Sequence, residues 1–331
     1  MLETITLNKY CLIARETTSR TNRLNSLMIK NREQKVELMI DANYPFRFID
    51  KLYSILEFSP KKKLIFSHCH LDHTGHAFYH QKKFGTPLYC PIQEKEYLIS
   101  LNSFMKKVGF KRLGLEENYR NFAKERVKFK ECKNVQTFQP GIDSFDLDSV
   151  KIETIHIPGH SPGQTAFIIN SKNLNGYYNR NEPSKVNKLM YVADIGSHPY
   201  YGDLNSNLEE YRASIDKLES IYLSDQYILV PAHGKFYFGQ EGEFFDRIRD
   251  NLNNNEQKVK QALKKNQTKT IKNLVEENII TPKRRKHEII KDLYLLWEGG
   301  KIYHHLNELI EKGVVQKQKG KDLLSDKYKL N

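Results

Sequence analysis

In this 331-residue chain, "LIFSHCHLDHTGHAFYH" (residues 64–80) places His68, His70, Asp72 and His73 within six positions, directly after an apolar run. Imidazoles at this density repel when protonated and forgo hydration when neutral, unless a cation holds them together. Partners of the same kind recur downstream: His160 in "HIPGHSPGQT", Asp194 in "YVADIGS" and His233 in "VPAHGK". Each follows a predicted strand, so all can converge at one edge of a sheet. His68 and His70 are two apart on an extended segment and point to the same side. Asp72 and His73, past the bend, can turn toward a second point. Five imidazoles and two carboxylates suit borderline divalent metals, with zinc the default and Mn2+ or Fe as substitutes. Seven donors over-fill one tetrahedral ion but fit two ions about 3.5–4 Å apart that share a carboxylate.

The elements that must position these groups are legible in outline. "SLMIKNREQKVELMID" reads as two short strands around a charged turn, "PFRFIDKLYSIL" as a helix, and "KKLIFSH" as a strand running into the histidines. "TPLYCP" predicts another strand. Residues 93–131 turn Lys/Glu/Leu-rich and helical, an insertion placed to act as a lid. Strand patterns return at "VKIETIHI", "TAFIIN" and "LMYVADI", then an amphipathic helix over "LNSNLEEYRASIDKLESI", then "QYILVPAHG". Residues 171–188 read as an extended hairpin loop. The result is a mixed, layered α/β fold. Beyond residue 250 the strands stop. Helical patterns over "NNEQKVKQALKKN", "TIKNLVEENI" (Thr268 or Thr270 as N-cap), "KHEIIKDLYLLWEGG" and "KIYHHLNELIEKGVV" precede a hairpin around Gly320. That layout predicts two units, 1–250 carrying the chemistry and 251–331 resembling a winged helix.

With its motif series complete and in order over roughly residues 20–240, the sequence resembles the metallo-β-lactamase superfamily of binuclear hydrolases. The resemblance implies a four-layer αβ/βα sandwich with two Zn2+ at one edge of the sheets. It implies that His68, His70 and His160 hold the first ion, that Asp72, His73 and His233 hold the second, and that Asp194 bridges them. Asp41, in "LMIDANYP", matches the strand-end aspartate that supports the metal loop from behind. Asp72 is the expected catalytic residue, orienting an ion-activated water and taking its proton. His198, Tyr200 and Tyr201, in "GSHPYYGD", are candidates to touch substrate. His76, His80 and His156 are left out of the ligand set, with His156 expected against the core or the loop beside His160; Cys69 is expected to pack.

Two branches of the superfamily suit the chain. Asp194 argues against dedicated β-lactam hydrolysis, which remains only as a side activity, and the spacing from Asp194 to His233 is too short for a β-CASP insert. The glyoxalase II-like and lactonase-like branch implies a small acyl substrate: an ester, thioester or lactone. The β-lactamase-like endoribonucleases, with a terminal signature similar to "KIYHHLNELIEKGVV", imply single-stranded RNA, with Trp297 and Tyr303 available for stacking. Formal net charge is +13, and residues 251–331 hold 18 Lys and Arg against 10 Asp and Glu. Such a tail suits phosphate contacts, capping of the pocket or a homodimer interface. The scattered cysteines, with no CxxC pair, predict reduced thiols and a cytoplasmic setting. The N-terminus carries no secretion-signal pattern, and no apolar run reaches the roughly 18 residues of a membrane span.

Overall fold

A computed structural model describes residues 1–17, 24–171, 188–196, 198–238, 242–280 and 293–331. Two sheets dominate. The first has seven strands in chain order: Leu2–Thr6, Cys11–Glu16, Asn25–Lys30, Val36–Ile40, Phe58–Ile65, Leu88–Pro91 and Gln136–Phe138. Its first four strands pair antiparallel and its last four parallel. The second has six, ordered Tyr237–Phe238, Tyr227–Val230, Lys188–Tyr191, Thr165–Ser171, Val150–His156 and Ser144–Leu147.

The sandwich follows from which side chains alternate. Leu27, Ile29, Leu38 and Ile40 point inward to meet Phe167, Ile169, Leu189, Tyr191, Ile228 and Val230 of the other sheet. Their immediate neighbours point outward. Met28 and Met39 pack under the helix Phe46–Ile55, while Ile168, Met190 and Leu229 pack under the helices Leu208–Ser224 and Glu243–Ala262. Both faces of each sheet are covered, so these strands read as near-continuous apolar runs. Helix, sheet, sheet and helix make four layers.

The expected helical insertion is present as Lys95–Ile99, Leu101–Val108, a 3-10 turn at Phe110–Leu113, Glu116–Asn121 and a wide final turn at Phe122–Val127. At the C-terminus, helices Ile271–Glu276 and Tyr294–Glu311 sit beside a three-stranded sheet ordered Lys269–Thr270, Lys327–Leu330, Val315–Gln318. Thr270 caps the shorter helix in a reciprocal capping box with Asn273. The division at residue 250 falls inside the single helix Glu243–Ala262. That helix starts in one core, through Phe244 and Ile248, and ends in another, through Val259. Leu274, Leu296 and Leu306 share that second core with Phe104 and Phe110 of the insertion. The reading of 171–188 as a hairpin, and of the first half of "KHEIIKDLYLLWEGG" as helix, lies almost wholly outside the described residues. All four cysteines are free and buried, and no helix among the described residues is long and apolar enough to cross a membrane.

Candidate metal centre

The strand Phe58–Ile65 releases its chain at Phe66, and the next residues loop over the sheet edge into the short helix Leu71–Thr74. His70 is the residue before that helix, and its carbonyl accepts from the Thr74 hydroxyl at 2.9 Å. His160 follows Gly159, whose φ is +122°. A Cβ on Gly159 would strike the backbone of Tyr211, so glycine there lets the helix Leu208–Ser224 press against the loop. Asp194 and His233 sit just past neighbouring parallel strands, tied by the Ala232 amide donating to the Ala193 carbonyl at 2.7 Å.

These returns bring all seven residues together in two adjoining groups. His68, His70 and His160 form one, and Asp72, His73, Asp194 and His233 the other, with the donor atoms of each group within 4.8 Å of one another. Asp194 reaches both. Its Oδ1 lies 3.0 Å from His73 Nε2 and 3.5 Å from His233 Nε2, and its Oδ2 lies 3.5 Å from His160 Nε2 and 3.9 Å from His68 Nε2. Asp72 Oδ2 is 3.5 Å from His233 Nε2, on the open side of the group.

The outer nitrogen of four rings is anchored, which decides the atom each ring turns inward. His73 Nδ1 lies 2.9 Å from Asp41 Oδ2, and His68 Nδ1 lies 3.1 Å from Ser67 Oγ. His160 Nδ1 donates to the Tyr200 carbonyl at 2.7 Å, and His70 Nε2 lies 2.7 Å from Asp203 Oδ2. His68, His73 and His160 therefore present Nε2, while His70 presents Nδ1.

Asp41 also accepts from the Ser67 amide at 2.8 Å, the Ser67 hydroxyl at 2.5 Å and the Tyr191 hydroxyl at 2.9 Å. It holds the whole loop, from a positive φ of 54° that Asp tolerates. Asp41→Asn leaves one acceptor where two carboxylate oxygens served three donors, and removes the charge facing His73. Metal affinity should drop by about 10–100-fold, measured by competition with a chromophoric chelator; unchanged affinity would remove Asp41 from this role.

Electrostatics divide the imidazoles: burial, with His73 beside it, depresses His68 well below the ordinary range, and burial, with His70 beside it, pushes His160 down to about 4. Burial works to depress His73, yet Asp194, Asp41 and Asp72 outweigh it and hold it well above the ordinary imidazole range. His70 is pushed up to about 9, Asp203 outweighing its burial. Burial would raise Asp72, but His73 and His233 keep it well below the usual carboxylate range. Protons on the raised imidazoles stand where metal ions would compete for the same lone pairs. The donor set, nitrogen-rich with two carboxylates, fits divalent ions.

A third group, Glu256, His305 and Glu308, also has donors within reach. Lys312 lies 2.8 Å from Glu256 and Arg212 3.6 Å from Glu308, so cationic side chains already neutralise it.

Among the residues expected at substrate, His198 and Tyr200 line the cavity beside the centre. Tyr201 does not, which corrects the expectation. It is fully buried, its hydroxyl 2.8 Å from His305 Nε2 and accepting from Asn255 Nδ2 at 3.0 Å. His80 and His156 stand outside the centre, bonded to the carbonyls of Ala42 and Pro162. Sequence reasoning missed Asp203 and Glu94. Glu94 is buried, and its carboxylate accepts from the Cys69 amide at 2.6 Å and the Gly163 amide at 2.7 Å, stapling the two histidine loops together. Neither acid stands in a recognisable motif, and their partners are remote in the chain.

The fold and this cluster define a metal-dependent hydrolase. Residues 38–174 match the family model of the metallo-beta-lactamase superfamily, whose members are metal-dependent hydrolases that bind divalent metals. It is weakly similar to hydroxyacylglutathione hydrolase GloC of Haemophilus influenzae, 24% identical over 183 residues spanning 54% of this chain and 72% of that one. A beta-lactamase domain protein from Burkholderia ambifaria shares the fold at TM-score 0.71 and 15% identity, over 99% of this chain and 94% of that one. A metallo-beta-lactamase family protein from Thermus thermophilus does so at 0.65 and 14%, over 100% and 98%. Both likenesses are of fold alone, and they extend through the C-terminal helices.

Proposed function

We propose that the chain is a two-zinc hydrolase of small esters, thioesters or lactones. The observation that carries this is the pair of adjoining donor groups with Asp194 within reach of both and Asp72 on the cavity side. The similarity to a hydroxyacylglutathione hydrolase supports a thioester in particular. Bound Zn2+ supplies a water of near-neutral pKa and a Lewis acid for a carbonyl oxygen. The protein's own work is positional. Asp72, kept deprotonated by its neighbouring imidazoles, orients the attacking water and accepts its proton at Oδ2. Asp194 sets the separation of the two donor groups. Asp41, Ser67, Asp203 and the Tyr200 carbonyl hold each ring so that no reorientation is needed as charge develops.

The alternative is a metal-dependent single-strand endoribonuclease whose C-terminal unit, read as a winged helix, guides RNA. The tail's excess of Lys and Arg favours it. One experiment separates the two: zinc-loaded protein is offered a panel of esters, thioesters and lactones, and in parallel an end-labelled single-stranded RNA. The expected result is acyl turnover with intact RNA, and a fall in kcat of about 10²-fold in Asp72→Asn. RNA cleavage lost in the variant selects the alternative. Turnover of neither by protein shown to hold two metals sinks both.

A further inference from the structure

We propose that the cavity beside the metal centre is a built acyl site, specific for substrates whose acyl group is a medium-length alkyl or aryl chain. This rests on the hydrolase reading above and names the substrate class within it. The cavity is about 840 Å³, in the range that encloses a small organic molecule. The metal centre lines it through His70, Asp72, His160, Asp194 and His233. Away from it the wall is supplied by the insertion, through Phe104, Val108, Phe110, Tyr119 and Phe122, and from the C-terminal helix by Trp297.

The wall is ordered by ring stacking and starts at the metal centre. The Phe104 ring stands 6.3 Å from His70, edge to face. Tyr119 stacks on Phe104 at 5.6 Å and on Phe110 at 3.9 Å, and Phe122 continues the row at 5.9 Å from Tyr119. Phe104, Phe110 and Tyr119 are anchored in the core that joins insertion and C-terminal unit, so the wall is rigid. Such a surface binds by removing apolar area from water, a gain that grows with every methylene laid along it. Among the described residues no Lys or Arg lines the cavity, while Glu16 adds a carboxylate to it, so its lining offers no cationic partner to an acyl group that is itself anionic. A carbonyl at Asp72 with its chain along the aromatic row satisfies both ends.

Trp297 is the chain's single tryptophan, and it reports from inside this cavity. The test titrates zinc-loaded protein with n-alkanoates from butyrate to dodecanoate, followed by Trp297 fluorescence and by calorimetry. In parallel, kcat/KM is measured for S-acyl-N-acetylcysteamine thioesters from acetyl to decanoyl. The expected result is a Kd that tightens about threefold per methylene until the cavity is filled, with kcat/KM rising in step. Phe122→Gln, at a half-buried position, should flatten both slopes. Alkanoates that bind equally at all lengths, or not at all by either readout, overturn the acyl site even if acetyl thioester is turned over, and the hydrolase reading then stands alone. Graded alkanoate binding without turnover of any acyl compound keeps the acyl site and defeats the hydrolase reading.

Discussion

Asp194→Ala should reduce turnover by at least about 10³-fold and release at least one of two bound metal equivalents. The size follows from position. Outer partners of metal ligands contribute about 10–100-fold, and Asp194 is closer in than any of them. It stands within 4 Å of four imidazole nitrogens, from His68, His73, His160 and His233. Without it, His68 Nε2 and His160 Nε2, 3.0 Å apart, face the second group across a gap with no negative charge at its centre. Burial would raise Asp194, but His73 and His233 hold it strongly ionised, so neutral alanine also forfeits the charge that offsets a dication. Asp194→Asn keeps the shape without the charge and should fall between. Metal content by mass spectrometry and turnover on one substrate decide it. A variant that keeps two metals and wild-type turnover would refute the bridging role.

Gly300→Ala should destabilise the protein by about 3 kcal/mol, lowering Tm by roughly 4–5 °C, whereas the adjacent Gly299→Ala should lie within about 1 kcal/mol of wild type. Two glycines in the middle of the helix Tyr294–Glu311 look like a fault in helix propensity. Packing explains one of them. A Cβ on Gly300 would overlap the carbonyl oxygen of Gly202, and one on Gly202 would come within 2.5 Å of the Trp297 carbonyl oxygen, so helix and loop meet backbone to backbone. A Cβ on Gly299 meets a side-chain methyl of Ile271 at 3.1 Å, which can give way, and the helix gains from losing a glycine. The loop in question carries Tyr200 and Asp203, the anchors of His160 and His70. One turn further on, His304 Nε2 contacts the Asp203 carbonyl at 2.7 Å. Gly300→Ala should therefore weaken metal binding as well as folding. Thermal melts of the two variants with chelator-treated and metal-loaded protein test both claims. Equal stability of the two would show that the close approach is not needed.

How much of this was legible beforehand divides along a physical line. Motifs local in sequence carried their meaning. "HCHLDH" at a strand end and "PGH" in a tight loop belong to backbones whose geometry is set by a few neighbouring residues. The strands of "SLMIKNREQKVELMID" were readable because short apolar runs either side of a charged turn mark them locally, whereas the faces of Leu27, Met28 and Ile29 were not, since all three are apolar. Asp41 was readable as a strand-end acid, though not its three donors. Facts that depend on which distant segments meet were not readable. Tyr200 and Tyr201 are neighbours of one type, and only the docking of the terminal helix puts the first at the cavity and sends the second to His305. Asp203 and Glu94 become anchors only when loops far apart in the chain close on one another. The division at residue 250 falls inside a helix because one continuous helix, Glu243–Ala262, passes from the first core to the second, and composition does not show where its ends lie. Amino-acid type and spacing determined which groups could bind metal. Tertiary contact decided which nitrogen each ring turns inward and which aromatic wall the reacting bond faces, since side-chain direction is fixed by whatever packs behind it.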